Sequence, residues 1–455
     1  MEMILEFLRD ILSQPALLIG IMSCVGLIAL KRPFHKIMTG TLKPILGYLM
    51  LAAGAGVIVS NLDPLGKMIE HGFHITGVVP NNEAIVAVAQ KVLGVETMSI
   101  LVVGLLMNLL IARFTKFKYV FLTGHHSLFM ACLMSAVLGT AGLSGIELIL
   151  VGGFLMGAWS AISPAIGQSY TSKVTDGDEI ALGHFGSLGY YLSAWVAKYV
   201  GKAEESTEDI EIPEKWGFLR DSTLSTALTM IVFYLIAAIA AGSEFVATLS
   251  GSMSPYLFAI MSAMNFAVGV AIVYSGVRMI LGDLIPAFQG IATKIIPNAI
   301  PAVDCAVFFT YAPTAVVLGF ISSFIGGIIG MLVLGAVGGV LIIPGLVPHF
   351  FCGATAGIYG NATGGRRGAA VGAFLNGLAI TFLPALALPV LGQLGFQNTT
   401  FGDADFAVMG LVLGNAFEWI GMAGIYGVVV IAALVLIIPN FIKTKGKVIN
   451  YVEEE

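Results

Sequence analysis

Thr223 to Ala241, Met331 to Ile343 and Gly421 to Pro439 hold no charged residue, and runs of this kind match the roughly 20 residues a helix needs to cross about 30 Å of hydrocarbon. Similar windows fall at about 15–30, 44–60, 97–113, 119–140, 146–168, 223–245, 256–280, 316–336, 340–361, 370–391 and 421–441. Their spacing predicts an all-α membrane protein of about 11 transmembrane helices. Between them, about 74–95, 176–196, 284–302 and 401–419 are too polar or too interrupted to cross, yet too apolar for surface loops. Pro80, Pro286, Pro297, Pro301, Gly183, Gly186, Gly189 and Gly402 break these four segments. They read as re-entrant hairpins, which persist at membrane depth where protein or a water-filled cavity satisfies the freed backbone. A polar solute is expected there.

Weak internal similarity predicts two repeats. Gly54 to Pro64 aligns with Gly276 to Pro286, Leu122 to His125 with Leu346 to His349, and Asp178 to Gly183 with Asp405 to Gly410, at spacings of 222, 224 and 227. Five spans separate equivalent positions, so the second repeat runs inverted, the plan of a carrier. The division is 1–222 for the first repeat (spans 1–5 plus hairpins), 223–420 for the second (spans 6–10 plus hairpins), and 421–455 for a last span and cytoplasmic tail. Lys and Arg cluster at 31–43, 113–118, 198–202, 366–367 and 443–447, all on one side of these spans. Positive loops face the cytoplasm, which puts the N-terminus outside and the C-terminus inside.

Composition agrees: of 455 residues 57% are apolar and 11% charged, against roughly a quarter charged in soluble domains. The net charge of −5 arises mainly from the linker Glu204 to Asp221 and from Glu453 to Glu455. These read as solvated acids, and nothing in them points to nucleic acid. Cys24, Cys132, Cys305 and Cys352 lie in apolar segments without paired spacing, so neither a disulfide nor a metal site is expected. Met1 to Asp10 mixes acids with Arg9, and the first apolar run reads as a retained helix rather than a cleavable signal. Pairs such as Gly326/Gly330 and Gly335/Gly339 have the spacing that lets helix backbones touch.

An ionisable group at membrane depth costs several kcal/mol, which makes each one a site candidate. His125 and His126 open the fourth span, His184 lies in the Gly-rich hairpin, Asp304 precedes an apolar run, and Glu83 follows Pro80-Asn-Asn. Asn82 and Asp304 stand 222 apart, as two hairpin tips facing one solute would. His126 and His349 read as interfacial or capping residues, Glu147 and Glu244 as interfacial and Glu418 as structural. There is no G-x-x-x-x-G-K-[ST] phosphate loop and no triad spacing, so no catalytic residue and no cofactor is expected.

Several motifs together carry a family resemblance: Leu122-Thr-Gly-His125; Val174-Thr-Asp-Gly177 leading to Gly183-His184; the linker Gly201 to Pro213; Asp304-Cys-Ala306 leading to Ala312-Pro313; and Ile342-Ile-Pro-Gly345 leading to Gly364-Gly365. Over essentially its whole length the chain resembles the ascorbate-type membrane component, IIC, of the bacterial phosphoenolpyruvate-dependent sugar phosphotransferase system. The resemblance implies a homodimer in the bacterial cytoplasmic (inner) membrane. Its V-motif scaffold comes from the first two spans of each repeat, and its core transport domain carries L-ascorbate by alternating access. His125, His184 and Asp304 match positions that hold the solute. Asn82 and Glu83 occupy hairpin positions where the family has Thr-Tyr, and Phe129 and Phe185 stand where the ascorbate type carries Gln. Separate phospho-IIB and IIA proteins are implied as partners, because the phosphorylated Cys of IIB belongs to a soluble domain.

Two other readings fit the same residues. A permease for another sugar acid or a pentitol suits Asp304, Asn82 and Glu83. An ion-coupled secondary transporter could use the same repeats with Asp304 as its ion site.

Overall fold

The computed structural model describes residues 11, 14–74, 77–78, 80, 82–177, 179–210, 222–392 and 400–441. Helices α1 (Pro15–Ala29), α2 (Phe34–Phe73) and α3 (Asn82–Phe114) come first, then strand β1 (Tyr119–Phe121), α4 (Gly124–Thr140) and α5 (Gly145–Thr175). Strand β2 (Ala181–Leu182) and α6 (Ser187–Val200) follow, then α7 (Ser222–Ala241), α8 (Ser243–Ser250) and α9 (Pro255–Lys294). The rest comprises β3 (Ile300–Val303), a 3-10 turn (Cys305–Thr310), α10 (Pro313–Ala336), α11 (Leu346–Gly392), α12 (Ala404–Ile420) and α13 (Met422–Ile437).

Among the described residues seven helices are long and apolar enough to cross a bilayer, or eight if α7 and α8, bent by 117°, form one broken span. The chain is thus a multi-pass helical membrane protein, as its charge-free runs predict. The eleven windows map onto these helices with some differences. The 119–140 window begins as strand β1 and continues as the 17-residue α4, whose side chains are buried along most of its length. Windows 340–361 and 370–391 are the two arms of α11, which breaks at Gly364 and Gly365. Gly365 has φ of 58° and ψ of −154°, open to glycine alone without penalty. A Cβ there would also press on the carbonyls of Lys202 and Glu205.

The acidic linker is less bland than its charge suggested. Glu208 accepts hydrogen bonds from the N–H groups of Thr314 (3.0 Å) and Ala315 (3.1 Å), capping the first turn of α10, where orphan donors and the helix dipole favour an acid.

Helices α2 and α9 each run 40 residues and pack backbone to backbone. A Cβ on Gly54 would meet Gly269 O at 2.7 Å, and one on Gly276 would meet Gly47 O at 2.6 Å. The glycines are seven apart on both helices, two turns on one face, so both contacts fall on one seam.

Three of the four interrupted segments, 74–95, 176–196 and 401–419, lead from extended backbone into a helix start, whereas 284–302 is first the end of α9, which runs through Pro286 to Lys294 without the expected break, and then β3. Parallel strands in the order β1-β3-β2 form a small sheet. Phe121, Ala181 and Ala302 belong to one buried apolar cluster, and Leu122, Leu182 and Val303 to the other, as alternating side chains require. A second set of parallel bridges joins Val78 to Ile342 and Pro80 to Thr400. In the sheet Ile300 N donates to Lys118 O, and in the second set Val78 N donates to Leu341 O.

Candidate functional site

Parallel strands bring their C-terminal ends to the same place, and here each delivers a polar residue. Asp304 follows β3 directly, His184 lies two residues beyond β2, and His125 lies four beyond β1. These three were the leading candidates in the sequence, and the fold brings them together. Asp304 caps the 3-10 turn by accepting from Ala306 N at 3.0 Å. Its Oδ2 lies 3.4 Å from His125 Nε2. The other nitrogen of that ring, Nδ1, is 3.1 Å from the Tyr48 hydroxyl on α2. A neutral imidazole donates once and accepts once, so Nε2–H to the carboxylate leaves Nδ1 to accept from Tyr48. A small cavity beside Asp304 is bounded by Tyr48, Thr123 and Ile280.

The second pair of rings is fixed by backbone. Gly186 N donates to His184 Nδ1 at 3.1 Å and Phe185 N donates to His126 Nδ1 at 3.3 Å. The Tyr190 hydroxyl also reaches His184 Nδ1, at 2.9 Å. Each ring therefore spends its lone pair on Nδ1 and carries its proton on Nε2. The two rings lie 3.8 Å apart between centroids, and both residues are buried. His126, for which the sequence also allows an interfacial or capping role, is part of this cluster. Phe185 contributes its amide to the cluster while its ring stacks on Phe121, centroids 4.6 Å apart. Phe129 instead stands edge-on to His125 and tilted against His126, at 5.8 and 5.7 Å, as a wall of the cluster.

The second set of bridges delivers its own polar residues. Asn82 follows Pro80 and opens α3, and Asp403 follows Thr400 and precedes α12. Asn82 Nδ2 donates to Asp403 Oδ2 at 2.6 Å while Gly402 N donates to Asn82 Oδ1 at 2.9 Å. The Cys352 thiol donates to Asp403 Oδ1 at 2.9 Å, and that oxygen lies 3.9 Å from His184 Nδ1. The backbone of Glu83 lies in α3, and its side chain falls outside the described residues.

Asp403 is the residue that sequence reading missed. The signal was present, since two acids, Asp403 and Asp405, interrupt an otherwise apolar run. The repeat alignment, however, fell on Asp405 at a spacing of 227. Backbone pairing sets Thr400 against Pro80 as it sets Ala181 against Ala302, a spacing of 219 that matches His184 with Asp403. Asp405 has a different job: it accepts from Trp159 Nε1 (3.1 Å), Ser187 Oγ (2.7 Å) and Leu188 N (2.9 Å), anchoring the start of α6.

Ligand-type atoms of His126, His184 and Asp403 lie within 4.8 Å of one another, as do those of His184, Asp304 and Cys305. A metal-bound histidine normally donates its second nitrogen to a neighbour. Here Nδ1 of His126 and of His184 accepts from backbone, leaving each an N–H to offer. The arrangement supplies imidazole donors beside carboxylate acceptors, chemistry suited to a polyhydroxylated solute.

Comparison with known proteins agrees in kind. The family described as PTS system sugar-specific permease component, EIIC-GAT, matches residues 10–405. The chain is also similar to a Mycoplasma pneumoniae protein named ascorbate-specific PTS system EIIC component, 26% identical over 417 residues, covering 78% of this chain and 62% of the relative. The chain thus spans less than two thirds of the length of that relative.

Proposed function

This chain belongs to the sugar-specific permease components of the phosphotransferase system, a transport component rather than an enzyme by itself, and on that premise we propose that it translocates L-ascorbate by alternating access. The reading is carried by one observation: His125, His184 and Asp304 lie just beyond the C-terminal ends of three parallel strands, and their side chains, from both halves of the chain, converge. Imidazole N–H groups suit the oxygens of an enediolate, and Asp304 accepts solute hydroxyls. Support for ascorbate also comes from the motifs of the sequence and from the name of the Mycoplasma pneumoniae relative.

In this proposal the two inverted repeats are 1–222 and 223–420, with 421–455 appended. Helices α1, α2, α7 and α9, with α8 packed on the last three, form the scaffold and the remaining helices the core. Two copies form a homodimer in the bacterial inner membrane, with the N-terminus outside and the C-terminus in the cytoplasm. A separate phospho-IIB protein, recharged by IIA, phosphorylates the solute on arrival and so makes transport one-way.

A second reading rests on Asp403. Two carboxylates with no Lys or Arg paired to them among the described residues suit a neutral pentitol as well as an anion, and Phe129 supplies no amide in compensation. Titration of purified protein with L-ascorbate, L-gulonate, xylitol and D-arabitol separates the two. Saturable ascorbate binding, weakened about tenfold or more in Asp304→Asn, is the expected result. Binding of a pentitol with none for ascorbate replaces the substrate and keeps the family.

A further inference from the structure

We infer that Asp403 is a solute-binding residue, an acceptor for one hydroxyl of a vicinal diol or enediol whose neighbouring oxygen is met by an imidazole N–H. The inference rests on the proposed transport of a polyhydroxylated solute and adds a residue to that site. Its first support is geometric. Asp403 and His184 end corresponding extended segments, Thr400 and β2, paired to Pro80 and Ala302 in the same parallel sense. Asp403 Oδ1 and His184 Nδ1 then face each other at 3.9 Å.

The second support is the count of hydrogens. His184 Nδ1 already accepts from Gly186 N and from Tyr190, so it brings no proton to the carboxylate. Asp403 Oδ1 thus faces a nitrogen that gives it no hydrogen bond, and a solute hydroxyl donating to the carboxylate supplies one. Asp403 has the capacity, because a carboxylate offers about four lone-pair directions and, among the described residues, two are filled, one on each oxygen, by Asn82 and Cys352. Those partners hold the group in place as a preorganised acceptor, only 5% exposed.

A purely structural alternative exists, in which Asp403 only closes a clasp onto Asn82. Exchanging the two residues distinguishes them, since Asn82→Asp with Asp403→Asn keeps an amide–carboxylate hydrogen bond and moves the charge away from His184. Binding of L-ascorbate, L-gulonate, xylitol and D-arabitol is titrated on the full chain in detergent for wild type, Asp403→Asn and the exchange variant, with thermal unfolding followed in parallel. The expected result is binding at least about tenfold weaker in both variants, the loss of a charged hydrogen-bond acceptor, with the exchange variant unfolding like wild type. Recovery of affinity in the exchange variant to within about twofold of wild type, or an unchanged affinity in Asp403→Asn, would overturn the inference. If the single variant loses its fold, the exchange variant is read beside Asn82→Ala: affinity lost in the exchange but kept within about twofold in Asn82→Ala supports the inference, and an equal loss in both overturns it. A wild type that binds none of the four solutes would overturn the solute reading and this inference together, an outcome visible before any variant is made.

Discussion

Phe129 and Phe185 stand where the resemblance to the ascorbate type implies Gln, and the structure separates what each can do. Phe129 faces the imidazoles of His125 and His126, so Phe129→Gln places an amide where a solute oxygen can meet it. Ascorbate affinity is expected to change by about tenfold in that variant, read by the same titration. The Phe185 ring is fully buried against Phe121 and Phe406, and its part in the cluster is a backbone N–H. Phe185→Gln is expected to bind no better and to cost about 1–3 kcal/mol for a buried amide without partners, measured as a lowered Tm. That distinction was not legible in sequence, where both positions read alike. His125, His184 and Asp304 were legible because a polar group in an apolar run costs energy and so asks for a reason. His126 was harder to place and Asp403 was not singled out, because each stands within two residues of a second of its own kind, His125 and Asp405, and such neighbours leave open which one turns to the site.

Helices were easier to read than their breaks. Charge-free length identified α2, α5, α9 and α10, since the bilayer imposes it, but the division between β1 and α4 depends on a pairing partner some 180 residues away, Ile300 against Tyr119. Periodicity within 119–140 carries no trace of that partner. Glycine spacing gave a partial view: Gly326 and Gly330 do face α11, at Phe374 O and Thr381, while the seven-residue pairs on α2 and α9 escaped notice. These pairs set the closest approach of the two longest uninterrupted helices. Gly276→Leu drives a side chain into Gly47 O and Leu51 N, and overpacking of this kind costs about 1–3 kcal/mol. Gly282→Ala on the same helix is the control, for a Cβ there meets nothing within 4 Å and alanine favours helix by about 1 kcal/mol. Thermal unfolding of the two variants in detergent is expected to move in opposite directions, and a Gly276→Leu protein as stable as wild type would show that α2 and α9 can separate freely.

Tyr48 ties the two proposed bodies together at the site, because it reaches from scaffold helix α2 to His125 of the core. If the core moves against the scaffold to carry solute, this hydrogen bond has to break, whereas His125 to Asp304 lies within the core and can persist. The two contacts on one imidazole thus separate motion from binding. Native thiols can report the motion, since Cys305 adjoins Asp304, Cys352 donates to Asp403, and both are buried. A thiol buried among apolar groups is inert until it is exposed. In a Cys24→Ser, Cys132→Ser background, labelling of these two by a maleimide therefore measures how often the site opens. Tyr48→Phe removes one hydrogen bond from the closed state, a net loss of about 1 kcal/mol that corresponds to a roughly fivefold larger open fraction. Labelling is expected to quicken by about that factor, while solute affinity falls by less than it does in Asp304→Asn. An unchanged labelling rate would mean that Tyr48 and His125 travel together, and the boundary between scaffold and core would then have to be drawn on the other side of α2.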